Sequence, residues 1–108
     1  TAHITVNNTT RTSHAVTCEQ VQWLLTADIS AAPARAKVLL NLDAEQPQVE
    51  SVNIDDFNGF TGVADKGAGN AKVMFARGTY TITGQAQGSQ RGDSKVSTTA
   101  PFKIEVGC

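Results

Sequence analysis

Phe102-Lys103-Ile104-Glu105-Val106-Gly107-Cys108 alternates apolar with polar or small residues up to its last position. Successive side chains of a strand point to opposite faces, so Phe102, Ile104, Val106 and Cys108 are expected on one buried side. The same parity joins Val16 to Cys18 within residues 12–18. Two thiols directed into one small core read as a structural disulfide, and so as a chain that works outside the cytoplasm. Two free buried cysteines are the alternative, because an unpaired cysteine packs as a small apolar residue. A Cys18–Cys108 bridge would close a loop of about 90 residues, worth roughly 4.6 kcal/mol as an upper figure in the chain-entropy description. It would also tie down a terminus that otherwise frays.

The 108 residues bound the chain to one domain, residues 1–108, with a single modest core. Nine basic and ten acidic residues leave a net charge of -1. Nucleic acid needs a concentrated basic face and anionic lipid a polybasic patch, and neither is present. Apolar runs such as residues 38–40 and 21–26 are far too short to span a bilayer as a helix. The chain starts at Thr1 without Met, so it reads as a mature or trimmed product whose targeting segment is gone.

Short alternating segments recur along the chain. Residues 4–6 and 12–18 read as a hairpin around Asn7-Asn8-Thr9-Thr10. Thr17-Cys18-Glu19-Gln20 fits a helical capping box, but Val21, Trp23 and Leu25 alternate, and a strand is favoured there. Residues 30–36, with Pro33, read as a loop, followed by a strand over 37–43 with Val38, Leu40 and Leu42 on one face. Residues 49–54 form another strand, and Asp55-Asp56-Phe57-Asn58-Gly59 a turn. Residues 60–64 are a weak strand and 67–70 a loop. Val73 and Phe75 share a face before a turn at Arg77-Gly78, and residues 79–86 are a strand. Residues 88–97 read as a polar loop. Strands of this length with turns every eight to twelve residues predict a mainly β fold, an antiparallel β-sandwich or barrel-like sheet closed by one disulfide.

Few residues suggest chemistry. Arg91-Gly92-Asp93-Ser94 could present a guanidinium and a carboxylate from a tight exposed loop, as integrin recognition requires, although turns favour these residues anyway. Arg91, Gly92 and Asp93 are therefore the candidate recognition loop. His3 and His14 could approach across the first hairpin, but no further ligand stands at metal spacing beside them. Residues 55–59 have the composition of a calcium loop without its regular ligand positions, and a turn explains them better. Ser13 and His14 are adjacent, point to opposite faces of a strand and cannot form a triad pair. No Gly-x-Ser-x-Gly elbow occurs, so no catalytic residue, cofactor or metal site is expected. Asn7 and Asn8 each begin an N-glycosylation sequon, read more simply as turn residues. The Thr-rich start could carry O-linked sugar.

The order of four segments carries a family resemblance. They are Val49-Glu-Ser-Val-Asn-Ile-Asp-Asp-Phe-Asn-Gly-Phe60, Gly69-Asn-Ala71, Tyr80-Thr-Ile-Thr-Gly-Gln-Ala86 and the closing 102–108 stretch, with Val-x-Cys at 16–18. Together they resemble the mycobacterial LpqH-like lipoprotein antigens, best from Val49 onward. The resemblance implies an exported protein, lipid-anchored at the cell surface through an N-terminal cysteine that is neither Cys18 nor Cys108. It also implies pairing of Cys18 with Cys108, and host innate-immune receptors as partners that sense the anchor. The expected function is that of a non-catalytic envelope antigen acting by contact with host or envelope partners. The alternative is a lipid or glycolipid carrier with a cavity between β layers, for which envelope lipid would be the partner.

Overall fold

The computed structural model describes residues 1–43, 45–65 and 69–108, and their side chains apart from those of residues 93–96. Ten strands follow one another: β1 (Ala2–Val6), β2 (Thr9–Ser13), β3 (Ala15–Val21), β4 (Leu24–Ala31), β5 (Ala34–Asn41), β6 (Gln48–Phe57), β7 (Phe60–Asp65), β8 (Asn70–Ala76), β9 (Thr79–Gln90) and β10 (Asp93–Gly107). All pair antiparallel in the order β2-β1-β10-β9-β7-β6-β5-β4-β3, and β8 adds to β9 beside β7. The sheet curls until its two ends meet. β2 touches β4, the Ser13 hydroxyl donates to the Ser30 carbonyl, and Cys18 of β3 is disulfide-bonded to Cys108 just beyond β10. The result is the nearly closed, barrel-like sheet that the strand spacing predicts.

Alternation fills the inside. Ile4 and Val6, Leu25 and Ile29, Val38 and Leu40, Ile82, and the expected Phe102, Ile104 and Val106 are all buried. Leu42 packs only partly against this core. The β6–β7 hairpin breaks strict alternation in a useful way. Ile54 pairs with Gly62 but Phe57 with Phe60, so β6 holds one extra residue, and Asp56 takes a positive φ of 52°. A bulge of this kind switches which face the following residue meets. Ile54 and Phe57 are therefore both buried despite opposite parity.

Several local expectations are corrected. Residues 12–18 are not one strand: the chain bends at His14 and sends β2 and β3 to opposite ends of the sheet order. No helix follows Cys18, and the run from Val21 is broken by a turn at Gln22-Trp23, where Gln22 has φ 53°. Val21 and Trp23 are exposed and Leu25 is buried, so the three do not share a face. The loop expected at 30–36 shrinks to Ala32-Pro33, and the turn at 55–59 to Asn58-Gly59. The loop at 88–97 is instead a hairpin turning at Arg91-Gly92. The loop expected at 67–70 lies partly outside the described residues. The disulfide stands at the rim, with Cys18 half-buried and Cys108 exposed, and not in the core. The expected burial of Cys108 fails because β10 ends at Gly107, so the last residue lies beyond the core.

Gly88 sits opposite Gly62 where β7 meets β9. A Cβ on Gly88 would fall far inside contact distance of the Thr61 carbonyl oxygen and the Gly62 Cα. Backbone cannot yield there as a flexible side chain would. Gly88→Ala is expected to cost about 3 kcal/mol in urea unfolding. Gly92→Ala, strained only by its φ of 87° in open space, should cost about 1 kcal/mol. The bridge spans 90 positions of sequence. Replacing both cysteines by serine should lower the unfolding free energy by about 2–4 kcal/mol, read as an earlier urea midpoint.

Candidate functional site

Polar groups converge at the barrel end formed by the β4–β5, β6–β7 and β9–β10 turns. Asn58 and Gly59 adopt φ values of 51° and 85°, which suit a tight two-residue hairpin. This tip is fastened to its neighbour by backbone and side chain alike. The Arg91 amide donates to the Gly59 carbonyl at 2.8 Å, and Gln90 Nε2 to the Asn58 carbonyl at 2.7 Å. The Arg91 guanidinium pairs with the Asp56 carboxylate, which the β6 bulge turns outward. Thr61 Oγ1 accepts from the Asp56 amide and donates to Asp55 Oδ1, each at 3.2 Å.

From β2, Arg11 reaches into the same group. Its Nη2 donates to Asn58 Oδ1 at 2.7 Å, and its guanidinium carbon lies 5.6 Å from the Phe57 ring centroid. Arg11 Nε is buried without a hydrogen-bond partner among the described residues. The Phe57 face attracts the cation, so part of the lost hydration is offset there. Between these groups lies a cleft of about 410 Å³ lined by Arg11, Pro33, Asp56, Asn58, Gly59, Gln90 and Arg91. A shallow groove of about 500 Å³ runs along β3 to β6, where Asp28 stands opposite Lys37 and Arg35 opposite Asp55. Both hollows present donors, acceptors and mixed charge, which suits hydrogen-bonded recognition of a polar surface.

Of the candidate recognition loop, Arg91 and Gly92 form the β9–β10 turn, and Asp93 opens β10 opposite Gln90. The Arg91 side chain is largely exposed while engaged by Asp56. The Asp93 side chain lies outside the described residues. His3 and His14 both face outward, and each meets a threonine: His3 Nδ1 lies 3.0 Å from Thr12 Oγ1, and His14 Nδ1 3.4 Å from Thr1 Oγ1. Ser13 is buried against Ser30 while His14 is exposed. Asn7 and Asn8 make the β1–β2 turn with φ values of 51° and 68°. Sequence reading missed Arg11 and Gln90, since no local pattern marks a residue that acts across the barrel.

Known proteins resemble this chain over its whole length. The pattern describing the Mycobacterium 19 kDa lipoprotein antigen matches residues 1–108. A lipoprotein of Mycobacterium indicus pranii is 38% identical over 109 residues, covering 100% of this chain and 78% of its own length. The Mycobacterium tuberculosis lipoprotein LppE is 38% identical over 112 residues, with 99% of this chain and 77% of that protein covered. Lipoprotein LpqH of Mycobacterium avium is 31% identical over 98 residues, or 89% of this chain and 60% of that protein. The chain thus spans about three quarters of the first two relatives. With its whole length matched, the chain belongs to the mycobacterial 19 kDa lipoprotein antigen family.

Proposed function

We propose that this chain is the globular part of a non-catalytic lipoprotein antigen, held at the outer face of the cell envelope by an N-terminal lipid anchor. It acts by contact: the anchor is sensed by host innate-immune receptors, and the polar end of the barrel meets host or envelope partners. The observation that carries this reading is the division between inside and outside. The interior is occupied by packed aliphatic and aromatic side chains, while the groups able to bind or react are spread over the exterior. Relatives that match the whole chain are named as lipoproteins, which supports the anchor and the envelope location.

A carrier of lipid or glycolipid needs an apolar cavity of several hundred Å³ between its β layers. The groove of about 500 Å³ along β3 to β6 is instead open to the outer surface and bordered by Asp28, Arg35, Lys37 and Asp55. That favours the contact reading. The Arg91-Gly92 turn, projecting with its guanidinium largely exposed, is the part of the polar end best placed for integrin-type contact. Mutating it gives a direct check: Arg91→Glu is expected to reduce adhesion of integrin-bearing cells to the immobilised chain, and unchanged adhesion removes that role.

The anchor is tested with the full-length precursor in a mycobacterial host. Metabolic labelling with a fatty-acid analogue should mark the protein, which should enter the detergent phase and be biotinylated on intact cells. An unlabelled, cytosolic protein would sink the proposal. Stoichiometric lipid released from the purified anchor-less chain, found by mass spectrometry, would replace it with the carrier reading.

A further inference from the structure

Among the described residues, the half-buried cation Arg11 has no carboxylate partner. The Arg91–Asp56 and Lys103–Glu105 pairs do not include it. What it touches is neutral: Asn58 Oδ1 at 2.7 Å, and the Phe57 ring, whose centroid lies 5.6 Å from the guanidinium carbon. Its Nε is shut off from water and meets no acceptor. A cation drawn partly out of water without an anion costs free energy, and an anion arriving from outside recovers it.

The surroundings of Arg11 have the same want. Arg11 and Arg91 line the cleft of about 410 Å³, where Asp56 supplies the one negative charge against their two. Its acceptors are already engaged. Asn58 Oδ1 takes Arg11, the Asn58 and Gly59 carbonyls take Gln90 and the Arg91 amide, and one oxygen of Asp56 takes the Arg91 guanidinium. The cleft therefore offers charged donors and lacks an acceptor for them, which an oxyanion supplies. The hydrogen bonds that fasten the Asn58-Gly59 tip hold these walls in place before any ligand arrives.

A second hollow of about 380 Å³ shares Pro33, Asp56, Gly59, Gln90 and Arg91 with the first and adds Asp55, Thr61 and Ser89. Its carboxylates and hydroxyls suit ligand hydroxyls, and beyond Pro33 no aliphatic or aromatic side chain lines it for an acyl chain. A ligand with several acidic groups would meet repulsion from Asp55 and Asp56, whereas neutral hydroxyls would donate to them.

We propose that this paired cleft is a binding site for an acidic saccharide. Its single oxyanion, carboxylate or phosphate, lies on the Arg11 and Arg91 guanidinia, and its hydroxyls lie along Asp55, Thr61 and Ser89. The inference rests on the polar end being a contact surface, and gives that contact a ligand class.

The test follows amide NMR shifts of the isotope-labelled chain during titration with glucuronate and with a glucose phosphate. Glucose and inorganic phosphate, at matched ionic strength, are the controls. Both acidic sugars are expected to shift the Asn58, Gly59 and Arg91 amides saturably. Glucose should shift none of them, and inorganic phosphate should bind about tenfold more weakly than the acidic sugars. Arg11→Lys keeps the charge but loses the planar fork, and should weaken both acidic sugars about tenfold. Asn58→Asp gives Arg11 an internal carboxylate in a residue type that tolerates positive φ. It should abolish binding without lowering the urea midpoint, an outcome that a purely structural Arg11 would not produce. Absence of saturable shifts, an equal response to glucose, or undiminished binding by the Asn58→Asp chain overturns the proposal. So does inorganic phosphate binding as tightly as the sugars, since a site for a bare ion would then be all that remains. None of these readouts involves acylation or cell adhesion, so failure here leaves the lipoprotein reading standing, and failure of that reading leaves the binding result in place.

Discussion

Closure of the sheet is the constraint on which everything else in this molecule depends. An open antiparallel sheet of this size would leave β2 and β3 as unpaired edges and expose one apolar face along its whole length. Curling brings those edges together, and two quite different contacts hold them. Near the polar end the seam is a hydrogen bond, from the Ser13 hydroxyl to the Ser30 carbonyl. Further along it is covalent, with the Cys18 and Cys108 Cα atoms 5.7 Å apart. The bend at His14 makes this possible, because it lets one short stretch of chain supply both edges.

The closed form explains why the two ends differ in chemistry. At one end three tight turns are drawn together, and their backbone groups are satisfied by neighbouring side chains such as Gln90 and by the Gly59 carbonyl. Polar residues dominate there because turn geometry selects Asn and Gly, and because an Arg–Asp pair can bridge two hairpins. At the other end the strands run past the core without a cap. Residues of inward parity such as Phe75 then have only Tyr80 and the rim to pack against, and remain partly exposed. The same sheet therefore produces a hydrogen-bonded face and an apolar face without any change in local structure.

Much of this was legible in the residues. The alternation of 102–108 predicted a buried face, and Phe102, Ile104 and Val106 take it. Val38 and Leu40 behave likewise, and the Asn58-Gly59 and Arg77-Gly78 turns stand where turns were expected. What misled the reading was continuity. Residues 12–18 read as one strand, yet the chain bends inside them at His14, because a bend at a polar residue leaves little local trace. Val21, Trp23 and Leu25 read as one alternating strand, although a turn at Gln22-Trp23 interrupts it. The Arg11–Asn58 contact joins residues 47 positions apart, and no spacing rule reaches that far.

The sequence by itself determined the β class, the inner face of most strands and the partnership of the two cysteines, because each follows from period-two patterning and the chemistry of single residues. Tertiary structure alone decided which strands became neighbours, where the bulge at Asp56 would flip the parity of Phe57, and which apolar residues would lie beyond the core. Those outcomes depend on closure of the whole sheet, which couples residues distant in the chain through backbone pairing that carries no side-chain signature. Local physics writes the strands; the barrel chooses its ends.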